Sequence, residues 1–175
     1  MAGDGGGLVI DTDLAFVHPL LGEALAYYRS KAKGRVPRRT DLDPAGMLAF
    51  LPNVILFDVV PADGDGPDRY VYRLMGTSIA AYYGEHTGRD VDEVLPPEAL
   101  ARTRRALDAA LQRDAPIRAV ARVVDPRKSW LIGEALVAPL SQRGTATDMV
   151  FAVMFFWSED SPPGHSAARA RRPRT

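Results

Sequence analysis

A chain of 175 residues with 22 basic and 22 acidic side chains has a formal net charge of zero, and it contains no cysteine. Balanced charge gives no global attraction for nucleic acid or an anionic membrane. The missing thiols exclude disulfides, thiolate metal sites, cysteine nucleophiles and any chromophore held through sulfur.

Residues 1–12 read as a flexible, glycine-rich start without the basic flank and apolar stretch of a secretory leader. The longest apolar run, Met149 to Trp157, falls well short of the ~18–20 residues a membrane helix needs, so a soluble cytoplasmic protein is expected. Residues 13–52 read as a helical extension. Leu20, Leu21, Ala24, Leu25 and Tyr28 form one stripe of a helix, with Pro19 in its first turn and Gly34 just beyond its end. Arg35, Arg38 and Arg39 follow; they suit either an anion at the start of the next helix or a solvated linker paired with Asp41 and Asp43. Asp43-Pro44 offers an N-cap and N1 proline for a short helix ending near Phe50.

From Asn53 the period changes to that of strands. Asn53–Val60 and Arg69–Met75 flank the turn-forming residues 61–67 and predict a hairpin. Thr77 can cap a short helix through Tyr83, Gly88–Val94 suits no more than a turn, and Pro97 opens a helix through Arg113. Ile117–Val123 alternates with Arg118 and Arg122, which predicts an edge strand wet on one face. Ser129–Leu140 and Asp148–Trp157 form a second hairpin, whose last strand is apolar on both faces and belongs in mid-sheet with cover on each side. Residues 158–175 end in a basic tail, predicted to be disordered. The order of elements describes an α+β domain with one antiparallel sheet.

A strand running into Arg73-Leu-Met-Gly-Thr-Ser-Ile-Ala-Ala-Tyr-Tyr-Gly84, then Thr87-Gly-Arg-Asp-Val-Asp-Glu-Val-Leu-Pro-Pro-Glu98, resembles the centre of a PAS sensor domain. The Asp41-Leu-Asp-Pro44 turn, Leu51-Pro52 and Pro139-Leu-Ser141 are similar to short bacterial PAS proteins made of little else. The resemblance covers residues 18–157. It implies a PAS-like domain at 53–157 with a five-stranded antiparallel sheet in the order 2-1-5-4-3, helices inserted between the second and third strands, and a small cavity beneath them. It also implies a sensing or protein-interaction module of bacterial signalling, without catalytic output of its own, that answers to a separate partner protein.

No cofactor is identified. Flavin photochemistry in this fold uses a cysteine near Gly88-Arg89, and the chain has none. Haem is disfavoured because no histidine lies on the long helix; His86 remains as a lone loop imidazole. No clustered ligands suggest a metal. The cavity implied by the resemblance is expected within reach of Tyr72, Thr77, Tyr83, Trp130 and Glu134, and would take a small organic ligand. For each aromatic, plain core packing is the alternative; for Glu134, which shares strand parity with Trp130, Ile132 and Leu136, it is a strand-edge or interface position. Asp58 and Arg73 come nearly opposite in the hairpin and read as a structural ion pair, with Arg73 as an anion ligand the other option.

Two further functions stay open. A cone-shaped isomerase or dehydratase would need a buried acid such as Asp58 or Glu134 with Tyr83 in reach, though its helices should precede the sheet. A pure dimerisation scaffold would have a filled core. The first helix is expected to cover part of the outer sheet face, leaving an apolar remainder for a homodimer.

Overall fold

The computed structural model describes residues 7–163; the expectations for the first six residues and for the arginine-rich end lie outside that range. Six antiparallel strands form one sheet: β1 (Val9–Asp11), β2 (Val54–Val60), β3 (Arg69–Met75), β4 (Ile117–Arg122), β5 (Leu131–Leu140) and β6 (Met149–Ser158). Their spatial order is β1-β4-β5-β6-β2-β3. The five strands read from the sequence stand in the expected order, and β1 adds a sixth beyond β4. The helices are α1 (Pro19–Ala32), α2 (Thr77–Tyr83), α3 (Val91–Val94) and α4 (Pro97–Arg113).

Strand alternation divides the core into two layers. Ile55, Phe57, Tyr70, Tyr72, Ala135 and Val150 face inward against Ile79 of α2, Val91 of α3 and Leu107 of α4. Leu56, Leu136, Ala138, Phe151 and Val153 face outward against Leu21, Ala24, Leu25 and Tyr28 of α1. Both faces of β6 are thus covered, as its composition requires.

α1 shares the outer face with the 3₁₀ turns that follow it. Asp43 caps Pro44–Met47 by accepting hydrogen bonds from the amides of Ala45 and Gly46, and Leu42, Met47 and Phe50 bury their side chains beside the helix. These turns cover part of the outer face that the helix leaves open, while Leu74 and Phe155 stay partly buried there and Leu48 is 71% exposed. The basic linker is paired: Asp41 takes Arg35 at 2.8 Å and the Arg38 amide at 2.7 Å.

Three expectations need correction. Residues 9–11 belong to the sheet rather than to a flexible start. β4 is accordingly not an edge strand; Asp11 pairs with Arg118 in register. Thr77 caps nothing: the N-cap of α2 is Gly76, with no side-chain hydrogen bond. Glycine is required there because a Cβ would run into the backbone carbonyls of Pro52 and Leu51, where β3 ends against the start of β2.

Candidate functional site

Beneath the helices the inner sheet face opens into a pocket of about 610 Å³. Its floor consists of small side chains: Ala119 and Ala121 of β4 and Gly133 and Ala135 of β5. Ala99 and Ala106 of α4 line it as well. Alternation brings every second residue of β4 and β5 to this face; Ala119, Ala121, Gly133 and Ala135 are the smallest available, and Val137 closes the end of the row. Larger residues would fill the space. A Cβ on Gly133 would approach Met154 Cε to 2.6 Å, so glycine lets Met154 lie across the floor.

One side of the pocket is aromatic. The Tyr82 ring stacks on Phe156 with centroids 4.1 Å apart, while Lys128 Nζ lies 3.9 Å from the ring's centroid. Tyr83 meets Phe156 edge-on at 5.8 Å. His86 Nε2 lies 3.0 Å from the Tyr83 carbonyl oxygen. Because a carbonyl only accepts, Nε2 carries the proton and Nδ1 of the neutral ring is an acceptor. The Tyr82 hydroxyl and His86 Nδ1 are both buried without a hydrogen-bond partner among the described residues.

Basic side chains also line the pocket, and most are neutralised locally. Arg122 pairs with Glu159 at 2.5 Å, Arg102 with Glu98 at 2.6 Å, and Arg127 with Asp125 at 3.1 Å. Burial raises the hydroxyl pKa of Tyr82, with Asp125 adding to it. Burial also pushes Tyr72 up to about 12. Tyr83 keeps 39% of its surface exposed, yet burial leads the causes that raise its pKa, followed by Tyr82 and Tyr72. All three phenols stay protonated at neutral pH.

Of the five expected cavity residues, Tyr83 lines the pocket. Tyr72 is buried behind it, its ring 5.0 Å from Phe57 and 6.2 Å from His86. Thr77 is exposed at the start of α2. Trp130 is 58% exposed, because it precedes β5 and the alternation does not extend to it. Glu134 lies on the opposite face of the sheet. The acid–base group needed by the enzyme alternative is not assembled, since Asp58 and Glu134 lie on the outer face and Tyr83 on the inner. Among the described residues, no three His, Cys, Asp or Glu side chains group to hold a metal ion.

Glu134 is fully buried and holds the N-terminal segment. Its oxygens accept from the amides of Val17 at 2.9 Å and His18 at 2.8 Å. Arg118 Nε donates to it at 2.7 Å, and the same guanidinium reaches Asp11 at 2.8 Å. Like the carboxylate of an N-cap, Glu134 satisfies donors at the start of α1. His18, the N-cap residue, stacks on Phe155 at 3.8 Å. Burial lowers its pKa below the ordinary 6.5, with the Glu134 charge opposing.

The sign of the resulting pH dependence follows from linkage. Below about 6.5 the unfolded chain protonates His18 before the folded one does, so stability held above that pH is lost as pH falls through it. Urea midpoints between pH 8 and 5 should fall less in His18→Phe than in the parent; equal slopes would show that this ring is not the titrating group.

Asp58 and Arg73 do form an ion pair, at 3.6 Å. A bulge between Leu56 and Phe57 sets Asp58 opposite Val71, so the pair is diagonal rather than directly facing. With the Arg73 side chain 59% exposed, a double-mutant cycle should give a coupling below about 1 kcal/mol. A coupling of several kcal/mol would mean the pair is shielded from water.

A family model described as PAS domain matches residues 17–155, which takes in α1, the inserted helices and the sheet apart from β1 and the last residues of β6. No curated protein matches the chain. A solved structure described as "Flavin Analogue Sheds Light on Light-Oxygen-Voltage Domain Mechanism" is similar over 74% of this chain and 93% of that one, at 17% identity and a TM-score of 0.37. With the family model spanning sheet, inserted helices and outer helix alike, the chain belongs to the PAS domain family.

Proposed function

We propose that this PAS domain is a sensory module that binds a small, mostly apolar organic molecule in the pocket over β4 and β5 and passes the signal to a partner protein. The observation that carries this reading is the 610 Å³ pocket floored by alanine and glycine, within the ~300–1,000 Å³ typical of small-molecule sites. A scaffold whose only task was association would gain stability by filling that space. Among the described residues no helix is long and apolar enough to cross a membrane.

Native mass spectrometry of gently purified protein, with thermal shifts against a panel of apolar compounds, tests the proposal. An adduct, or a stabilisation that Ala135→Leu abolishes by occupying the floor, is the expected result. Neither adduct nor stabilisation with any compound would overturn it.

A further inference from the structure

We infer that the ligand of this pocket is an organic acid with one negative charge, whose apolar body lies over the alanine–glycine floor and whose carboxylate meets the Lys128 ammonium. This rests on the sensory reading above and specifies its ligand.

The lining is divided by chemistry. Val94, Leu95, Ala106, Val137 and Met154 surround the floor with apolar surface. The cations stand together where β4 leaves the sheet: Arg102 of α4, Arg122 at the end of β4, and Arg127 and Lys128 in the turn before β5. Arg102 Nη1 donates to the Arg122 carbonyl at 2.7 Å, which joins the two elements there. Against these cations, the described residues of the lining carry one carboxylate, Asp125.

The arginines and the lysine differ in what answers their charge. Arg102, Arg122 and Arg127 hold Glu98, Glu159 and Asp125 in turn. Lys128 makes no ion pair or hydrogen bond among the described residues; its ammonium lies 3.9 Å from the centroid of the Tyr82 ring. Both oxygens of Asp125, the nearest acid in sequence, are taken by the Arg127 amide and guanidinium. A ring face attracts a cation without neutralising it. An ammonium carries several N–H donors, so an anion can join Lys128 while the ring stays where it is.

Lys128 is also placed and accessible. The other face of the Tyr82 ring stacks on Phe156 at 4.1 Å, which seats the ring, and the ammonium above it, on β6. The side chain is half-buried, and its ammonium is not sealed from solvent. One unanswered cation beside an apolar floor calls for one negative charge on an apolar body. A hydrocarbon would fill the floor and leave the charge unanswered. A small polyanion would lose its hydration against alanine and methionine side chains with nothing to replace it.

The test uses full-length protein at pH 7.5 with three probes of one body: 2-naphthoate, 2-methylnaphthalene and 2,6-naphthalenedicarboxylate. Calorimetric titration should give 2-naphthoate at least about 10-fold tighter binding than either other probe, as a hydrogen bond from a charged donor supplies. Lys128→Met keeps the apolar stem and removes the charge. It should bring 2-naphthoate to within about 3-fold of 2-methylnaphthalene while leaving the hydrocarbon's affinity unchanged. That unchanged affinity also shows that the variant keeps the fold.

If 2-methylnaphthalene binds the parent as well as 2-naphthoate does, or only uncharged compounds bind, the acid assignment fails while the sensory pocket stands. If the dicarboxylate binds best, the single charge is wrong. If 2-naphthoate keeps its advantage in Lys128→Met, the carboxylate is held elsewhere and the assignment to Lys128 fails. If no probe binds and no other apolar compound stabilises the protein, both readings fail.

Discussion

Glu134→Ala should lower the unfolding free energy by about 3–5 kcal/mol, the largest loss expected from any single charged residue in this domain. The carboxylate is fully buried and holds four groups in one place: the amides of Val17 and His18, the Arg118 guanidinium and, through that guanidinium, Asp11. Removing it leaves two backbone donors unsatisfied at the start of α1 and deprives Arg118 of its buried partner. Domains of this kind are stable by only about 5–15 kcal/mol, so the variant gives up a large share of the total. Glu134→Gln keeps one acceptor for a backbone amide and should fall between. Urea denaturation of the three proteins decides it. A loss below about 1 kcal/mol for the alanine variant would show that water replaces the carboxylate at little cost.

Phe151→Ala should cost a similar amount, about 3–5 kcal/mol, by a different route. Phe151 lies on the central strand β6, paired with Leu56 on one side and Ala138 on the other. Its ring is stacked 6.2 Å from that of Tyr28 on α1. Truncation opens a cavity between helix and sheet that neither can collapse into: the strand is fixed by two neighbours, and Tyr28 is tied by its hydroxyl to the Pro139 carbonyl at 2.7 Å. Phe151→Leu should lose less than half as much in the same denaturation experiment. If both variants unfold at the parent's midpoint, α1 is not seated on this strand.

The frame of the domain was legible because strands and helices announce themselves by period. Val150, Ala152 and Met154 alternate with Phe151, Val153 and Phe155, which identified a strand covered on both faces, and the stripe through Leu21 and Tyr28 identified its cover. β1 escaped that logic. Three residues behind a glycine run are too few to show a period, and their place depends on pairing with β4 over a hundred positions away.

Parity placed Glu134 with Leu136 on one face of β5, correctly, but parity does not say on which side a cavity lies. The readable signal was the complementary set: Ala119 and Ala121 on one strand, Gly133 and Ala135 on the next. A strand face made of the smallest residues leaves volume, whereas one made of Leu and Phe fills it. Trp130 was assigned by extending that alternation one residue past the start of the strand. Tyr82 and His86 carried no periodic signal, since their position follows from how α2 and its following loop pack on Phe156 and Tyr72.

The short segment before α1 touches both sides of the sheet. Leu8 lines the pocket on the inner side, and three positions later Asp11 joins the cluster that anchors the helix on the outer side. Thermodynamic reciprocity then applies. A molecule whose affinity depends on Leu8 being in place favours the docked form of the segment, and by the same factor the docked segment favours the molecule. For such a molecule, a protein that captured the segment would weaken binding in the pocket without touching it, and occupancy of the cavity and availability of the N-terminal arm would be two readings of a single equilibrium.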